Sequence, residues 1–83
     1  MPVVSRLKGY CFFFFSNEGK PPEPPHIHVR RGAARAKFWL APVVSLASSF
    51  DMNGPELNEL VRIVMENRGM FERAWHEHIG KIR

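Results

Sequence analysis

The chain has 83 residues, 45% of them hydrophobic and 24% charged, which is enough for one small core and excludes a multidomain enzyme. Twelve Lys and Arg residues against eight Asp and Glu give a formal net charge of +4. The excess lies in residues 1–50, which hold seven basic and two acidic groups, whereas residues 51–83 hold five and six. We therefore expect a single domain, residues 1–83, with a basic surface on its N-terminal part.

The cysteine content and the start of the chain indicate a cytoplasmic protein. Cys11 is the only cysteine, so no internal disulfide can form, and such a residue is more often a small buried hydrophobe than a nucleophile. The first residues lack the apolar segment of a signal peptide, and the run CFFFF is too short to span a bilayer. We expect no membrane partner.

The first half of the chain predicts strands, because it is rich in aromatic and β-branched residues and is interrupted at intervals by Gly and Pro. Four strands are predicted, at residues 3–7, 10–16, 26–31 and 35–40. Lys8-Gly9 and Gly32 suit the turns of two hairpins, since glycine accepts a positive φ. The four prolines in residues 19–25 predict a stiff loop between the hairpins. Residues 43–50 show no clear period and are interpreted as an extended connector.

The second half predicts an amphipathic helix. Asn53 can cap its first turn, Pro55 lies within that turn, and Glu56 occupies the capping-box position. An apolar stripe follows, comprising Leu57, Leu60, Val61, Val64, Phe71, Trp75 and Ile79. A straight helix over residues 54–79 would be about 39 Å long, so we expect a kink or break near Gly69. The predicted class is α+β: an antiparallel sheet of about four strands packed by this C-terminal helix.

Two histidines on the third predicted strand are the candidate catalytic residues. His26 and His28 lie two apart, so both side chains and Arg30 should point to one face, which Arg35 and Lys37 of the next strand share. The opposite, core-facing set is Ile27, Val29, Ala36, Phe38 and Leu40. Cations can hold phosphates as nucleic-acid contacts, and imidazole can transfer the proton of an attacking hydroxyl. A solvated basic strand that carries histidines by chance remains the alternative.

A metal site is disfavoured, although the four histidines form two His-x-His pairs. In a helix, residues two apart project about 200° from each other, so His76 and His78 cannot both bind one ion. The chain has no second cysteine and no HExxH spacing. We therefore expect neither a metal nor another cofactor.

The run of four phenylalanines, residues 12–15, predicts an aromatic surface on both sides of the sheet. Alternate residues of a strand take opposite faces, whereas one helix covers a single face. The C-terminal segment could fold back over the second face. Alternatively, the exposed aromatic rings could bind a second copy of the chain or another protein.

Four segments of the sequence resemble a short prokaryotic family, domain of unknown function 4160. They are GYCFFFFSNE, EPPHIHV, AKFWL followed by proline, and AWHEHIG. The resemblance marks Glu23, Pro24, Pro25, His26, His28, Lys37, Phe38, Trp39, Trp75 and Glu77. It implies a small cytosolic protein encoded beside a second small protein, an arrangement similar to toxin and antitoxin pairs, and it implies no particular activity.

Two functions of different classes follow as hypotheses. The first is a small bacterial toxin-like protein that binds or cleaves RNA, in which His26 and His28 act as acid and base while Arg30, Arg35 and Lys37 hold phosphates. The second is a non-catalytic module that binds a neighbouring small protein through the aromatic face. Expected partners are accordingly RNA and an antitoxin-like neighbour, or a second copy of the chain.

Overall fold

The computed structural model describes residues 3–16 and 23–82, which form five strands and two helices. The predicted α+β class is confirmed. The strands are β1 (Val3–Leu7), β2 (Tyr10–Phe13), β3 (His26–Arg31), β4 (Ala34–Trp39) and β5 (Ser45–Phe50), and the helices are α1 (Gly54–Glu66) and α2 (Arg68–Ile82).

The strands form one antiparallel sheet in chain order, β1-β2-β3-β4-β5. Both predicted hairpins are confirmed. Lys8 and Gly9 have φ angles of 51° and 84°, the positive pair that a type I′ turn requires, and Gly32 has a φ of 61°. Of the predicted proline loop, residues 19–22 lie outside the described residues. Its last residue, Pro25, accepts a hydrogen bond of 2.9 Å from the Leu40 amide.

The prediction of four strands was wrong by one, because residues 43–50 contain β5 and not merely a connector. This strand lies at the edge of the sheet, and all six of its residues are exposed. A strand that buries neither face has no reason to alternate polar and apolar residues, which explains the missing period. The second strand is also shorter than predicted, ending at Phe13, and β4 begins and ends one residue earlier.

The hydrophobic core lies between the helices and one face of the sheet. All five residues predicted for the core from the third and fourth strands are buried, namely Ile27, Val29, Ala36, Phe38 and Leu40. The predicted helical stripe packs against them. Phe12 of β2 stacks on Phe71 of α2 with ring centroids 5.2 Å apart. None of the helices in the described part of the chain is long and apolar enough to cross a membrane.

The predicted break of the C-terminal helix is confirmed, but it falls at Asn67, two residues before Gly69, and divides the helix in two. The Asn67 side chain donates to the Ile63 carbonyl at 2.8 Å, and its backbone amide donates to Ile63 and Val64. Asparagine competes in this way with the helical backbone for its own hydrogen bonds. The break therefore lies at Asn67, whose side chain donates a hydrogen bond to a carbonyl at the end of α1, and not at Gly69.

The start of α1 links the helix to the sheet. As predicted, Asn53 caps the helix, its side chain accepting from the Glu56 amide at 2.8 Å. The Glu56 carboxylate does not return to the cap. It accepts from the Tyr10 hydroxyl at 2.8 Å and from Arg31 at 3.3 Å, and Arg31 also donates to the Tyr10 oxygen at 2.9 Å. This three-residue cluster connects β2, β3 and α1.

Tyr10 should make stability fall at alkaline pH. Burial, the hydrogen bond to Glu56 and the charge of that carboxylate raise the pKa of Tyr10 above its ordinary value of 10.0, against a smaller opposing effect of Arg31. The folded state thus holds the phenol proton more tightly than the unfolded state. This contribution to the free energy of unfolding should be complete below about pH 10 and lost as pH rises through the folded-state pKa.

The measurement is urea unfolding from pH 8 to pH 11 on the wild type and on Tyr10→Phe. The variant should lose about 1 kcal/mol at pH 8 through the missing hydrogen bond, and its stability should fall less steeply with pH. Tyr10 is the only tyrosine, so phenolate absorbance reports this group alone. Identical pH dependence in the two proteins would contradict the raised pKa.

Candidate functional site

The sheet face opposite the helices, here called the open face, carries most of the predicted site. Cross-strand pairing aligns one row of side chains across the five strands: Val3, Phe13, His28, Lys37 and Ser48. Directly paired residues of antiparallel strands point to the same face. The predicted common face of His26, His28, Arg30, Arg35 and Lys37 follows from strand alternation and the same pairing, and the rings of His26 and His28 lie 5.2 Å apart.

The phenylalanine run divides between the two faces, as strand alternation predicts. Phe12 and Phe14 are buried in the core, where Phe14 meets Trp75 edge-on at 5.4 Å. Phe13 and Phe15 lie on the open face with His28, which stacks on Phe13 at 5.5 Å and lies 4.5 Å from Phe15. These last three residues form the open-face aromatic cluster.

The sequence left two alternatives for this face: coverage by the C-terminal segment, or an exposed aromatic surface. The cluster matches each of them only in part. Phe13 is only 4% exposed, because rings and cations of the open face surround it, including the Arg30 guanidinium 5.4 Å from its centroid. Phe15 is 38% exposed and presents an apolar surface to solvent. On the open face, the Phe13 ring is therefore covered by its neighbours, whereas the Phe15 ring is accessible to solvent.

A cavity of about 260 Å³ opens beside the cluster. Its lining includes Phe13, Phe15, His28, Arg35, Lys37, Ser48 and Phe50. Aromatic rings thus form part of its wall, while a guanidinium, an ammonium and a serine hydroxyl supply hydrogen-bond donors. Such a mixture of apolar surface and a few polar groups is typical of ligand sites.

Arg30 and Arg35 lie directly opposite each other on β3 and β4. Like charges in this position repel, and an anion between them would relieve the repulsion. Lys37 is more constrained, since its ammonium lies 4.5 Å from the Trp39 ring centroid and 3.4 Å from the Glu23 carboxylate. Within residues 3–16 and 23–82, neither arginine has a carboxylate at ion-pair distance.

The two predicted catalytic histidines occupy different environments. His28 is half-buried and lines the cavity. His26 is 0% exposed, and its Nδ1–H donates to the Pro24 carbonyl at 3.0 Å. The His26 ring lies 4.5 Å from Trp75 and 5.5 Å from Trp39. His28 is thus the one of the two that lines the cavity, whereas His26 belongs to a buried aromatic packing arrangement.

The other two histidines separate as helical geometry predicts. His76 is exposed, whereas His78 is buried and its Nε2–H donates to the Phe15 carbonyl at 3.0 Å. His78 also stacks on Phe14 at 5.2 Å, so it links the residues directly after β2 to α2. In the described part of the chain, no group of three or more His, Cys, Asp or Glu side chains is arranged to hold a metal ion.

Sequence reasoning missed the contribution of β5 to the site. Ser48 and Phe50 line the cavity, and Phe50 is 66% exposed. A serine-rich segment without a period gives no sign that it pairs with β4.

Together these features define a small α+β protein whose five-stranded sheet is covered by helices on one side and carries cations, aromatic rings and a cavity on the other. The chain belongs to the family described as domain of unknown function (DUF4160), whose model matches residues 9–76. The resemblance drawn from the sequence is thereby confirmed. No curated protein and no solved structure matches the chain.

Several of the family-marked residues lie around His26. The Pro24 carbonyl accepts a hydrogen bond from His26 Nδ1–H, and Trp39 and Trp75 pack against the His26 ring. The Lys37 ammonium lies close to both the Trp39 ring and the Glu23 carboxylate. This arrangement fixes the end of the loop that precedes β3 and leads directly to His28. The segment EPPHIHV therefore has a structural role at His26 and places a second imidazole at the cavity.

Proposed function

We propose that this protein is a cytosolic, toxin-like RNA-binding protein that holds single-stranded RNA on its open face. The observation that carries the proposal is the presence of Arg30, Arg35 and Lys37 beside the exposed rings of Phe15 and Phe50 on the open face. Cations bind the phosphates, and aromatic rings offer surfaces on which unpaired bases stack.

Single-stranded RNA fits this surface better than a duplex. In a duplex the base faces are covered by their neighbours, so exposed rings such as Phe15 and Phe50 could not stack on them. A half-open cavity lined by rings and hydrogen-bond donors instead suits a base turned out from the strand. Stacking on aromatic rings is worth roughly 1–3 kcal/mol per base and tolerates different sequences.

Cleavage of the bound RNA would rest on His28. In this step His28 takes the proton of a ribose 2′-hydroxyl while the 2′-oxygen forms a bond to phosphorus. The bond from phosphorus to the 5′-oxygen breaks, and that oxygen takes a proton from water. Lys37, directly opposite His28 on β4, stabilises the charge that develops on the phosphate. Buried His26 positions the strand and does not touch the substrate.

A non-catalytic protein-binding module is the second candidate, favoured by the edge of the sheet. β5 is exposed along its full length, and its Leu46 and Phe50 present apolar surface. An edge strand can add a strand of a partner through backbone hydrogen bonds. The partner would be the neighbouring small protein or a second copy of this chain.

RNA affinity should depend strongly on salt. For a single strand, log K falls with log salt with a slope of about −0.7 for each neutralised phosphate, so the three cations give a slope of about −2 or steeper. Fluorescence anisotropy with a labelled unstructured RNA, from 50 to 200 mM salt, should show a loss of affinity of about twentyfold or more. The double variant Arg35→Gln, Lys37→Gln should have a slope shallower by about 1.4.

The matched control is Arg62→Gln, which changes net charge by removing an exposed cation from α1. It should leave the slope close to that of the wild type. An affinity that is independent of salt, or equal losses of affinity for Arg62→Gln and for the double variant, would exclude the open face as the RNA site. Binding to the neighbouring protein without any RNA binding would favour the second candidate.

A further inference from the structure

A second row of side chains crosses the open face next to the row that contains His28. Arg6 of β1 pairs with Cys11, Cys11 with Arg30, Arg30 with Arg35, and Arg35 with Phe50. Each pair shares a face, so these five residues form one continuous line across all five strands. Arg6 is exposed, and this line, here called the basic row, brings it to the open face.

The length of the basic row matches the backbone of a short single-stranded nucleic acid. Neighbouring strands lie about 4.8 Å apart, so the four steps from Arg6 to Phe50 span about 19 Å. Three of the five positions are guanidinium groups, at β1, β3 and β4. Cys11 lies between the first two guanidinium groups. Its side chain is small and half-buried, so it projects less from the sheet than the arginines on either side.

The row that contains His28 runs parallel to the basic row. Residues two apart along a strand are separated by about 6.7 Å, which is the distance from Arg30 to His28 on β3 and from Arg35 to Lys37 on β4. One row is thus mainly cationic, and the other contains the half-buried His28 ring, which lies 4.5 Å from the exposed Phe15. This is the arrangement that a strand needs if its phosphates follow one line and its bases the other.

We propose that the bound RNA crosses the sheet at right angles to the strands, with most of its phosphates along the basic row and its bases against Phe15 and the cavity beside it. The phosphate to be cleaved is displaced from that row towards His28 and Lys37. This inference rests on the proposed function. It makes Arg6, which is outside the predicted site and on the far side from the cavity, a phosphate contact. At 3.4 Å per stacked nucleotide, about six nucleotides cover the basic row, and fewer do so when the strand is extended.

The crossing path predicts that Arg6→Gln weakens binding in a length-dependent way. For an RNA of eight nucleotides, the affinity should fall about three- to fivefold, and the salt slope should become shallower by about 0.7. For a dinucleotide, whose single phosphodiester can be held between the paired Arg30 and Arg35, the variant should bind like the wild type. Arg6→Lys, which keeps the charge, should restore most of the affinity for the longer RNA.

The comparison variants are Arg35→Gln within the basic row and Arg62→Gln on α1. If Arg35→Gln weakens binding of the eight-nucleotide RNA while Arg6→Gln and Arg62→Gln do not, the RNA follows a different path, such as one along β3 and β4, and the inference fails while RNA binding stands. If the wild type binds no RNA, both fail. Circular dichroism confirms that each variant is folded, which is expected because Arg6 is exposed at an edge strand.

Discussion

Replacing His28 with glutamine should lower the rate of the proposed RNA cleavage by a hundredfold or more, because no other imidazole lines the described cavity and proton transfer by a positioned base contributes about that much. RNA affinity should stay within a few-fold of the wild type, since the cations remain. Glutamine keeps a polar side chain of similar size against Phe13 and Phe15. The measurements are cleavage of a labelled RNA by the purified protein and bacterial growth after induced expression.

His76→Gln is the matched control, since it removes an exposed imidazole from α2 without touching the open face. It should leave cleavage and growth arrest unchanged. A folded His28→Gln protein that still cleaves RNA and arrests growth at the wild-type level would rule out His28 as the base. Loss of RNA affinity parallel to the loss of cleavage would indicate that His28 serves binding through its rings and not proton transfer.

Trp75→Ala should have the largest effect on stability. Trp75 is 3% exposed, and its ring meets Phe14 at 5.4 Å and His26 at 4.5 Å. Truncating a buried tryptophan costs about 3–5 kcal/mol, a large part of the roughly 5–15 kcal/mol that stabilises a natural domain. Urea unfolding followed by circular dichroism should show a much lower midpoint, or a chain that is unfolded without denaturant.

The neighbouring residue supplies a control for this substitution. His76→Ala changes an exposed position on the same helical turn and should alter the free energy of unfolding by no more than about 0.5 kcal/mol. Trp75→Phe keeps an aromatic ring beside His26 and should lose much less than Trp75→Ala. If Trp75→Ala unfolds at the wild-type midpoint, the packing of α2 against the sheet contributes little, and the buried position of His26 would need another cause.

The composition of the open face could be predicted because it depends on local geometry. Strand alternation alone assigns His28 and Arg30 to one face, and the Gly32 turn fixes their partners Arg35 and Lys37. The burial of His26 depends on Trp75, which is 49 positions away in the chain and reaches it only after α2 has packed. No pattern around His26 carries that information, since its neighbours would look the same on a solvated strand.

The errors in the predicted elements have related causes. β5 was missed because its exposed residues need no alternation, so its pairing with β4 is visible only in three dimensions. The helix break was placed near Gly69 on propensity. The structure shows that hydrogen bonding by the Asn67 side chain decides the position, an effect of specific geometry that a propensity scale averages away.

The division of the phenylalanine run has a consequence for how the sequence encodes β2. With four identical side chains in succession, moving the strand by one position would still place two rings on each face. The run by itself therefore does not specify the register of β2. Neighbouring residues distinguish the two alignments: the tight Lys8-Gly9 turn fixes where β2 begins, and the Tyr10 hydroxyl donates to Glu56 and accepts from Arg31 in the native alignment. The polar cluster at the start of α1 thus contributes to which two rings lie on the open face.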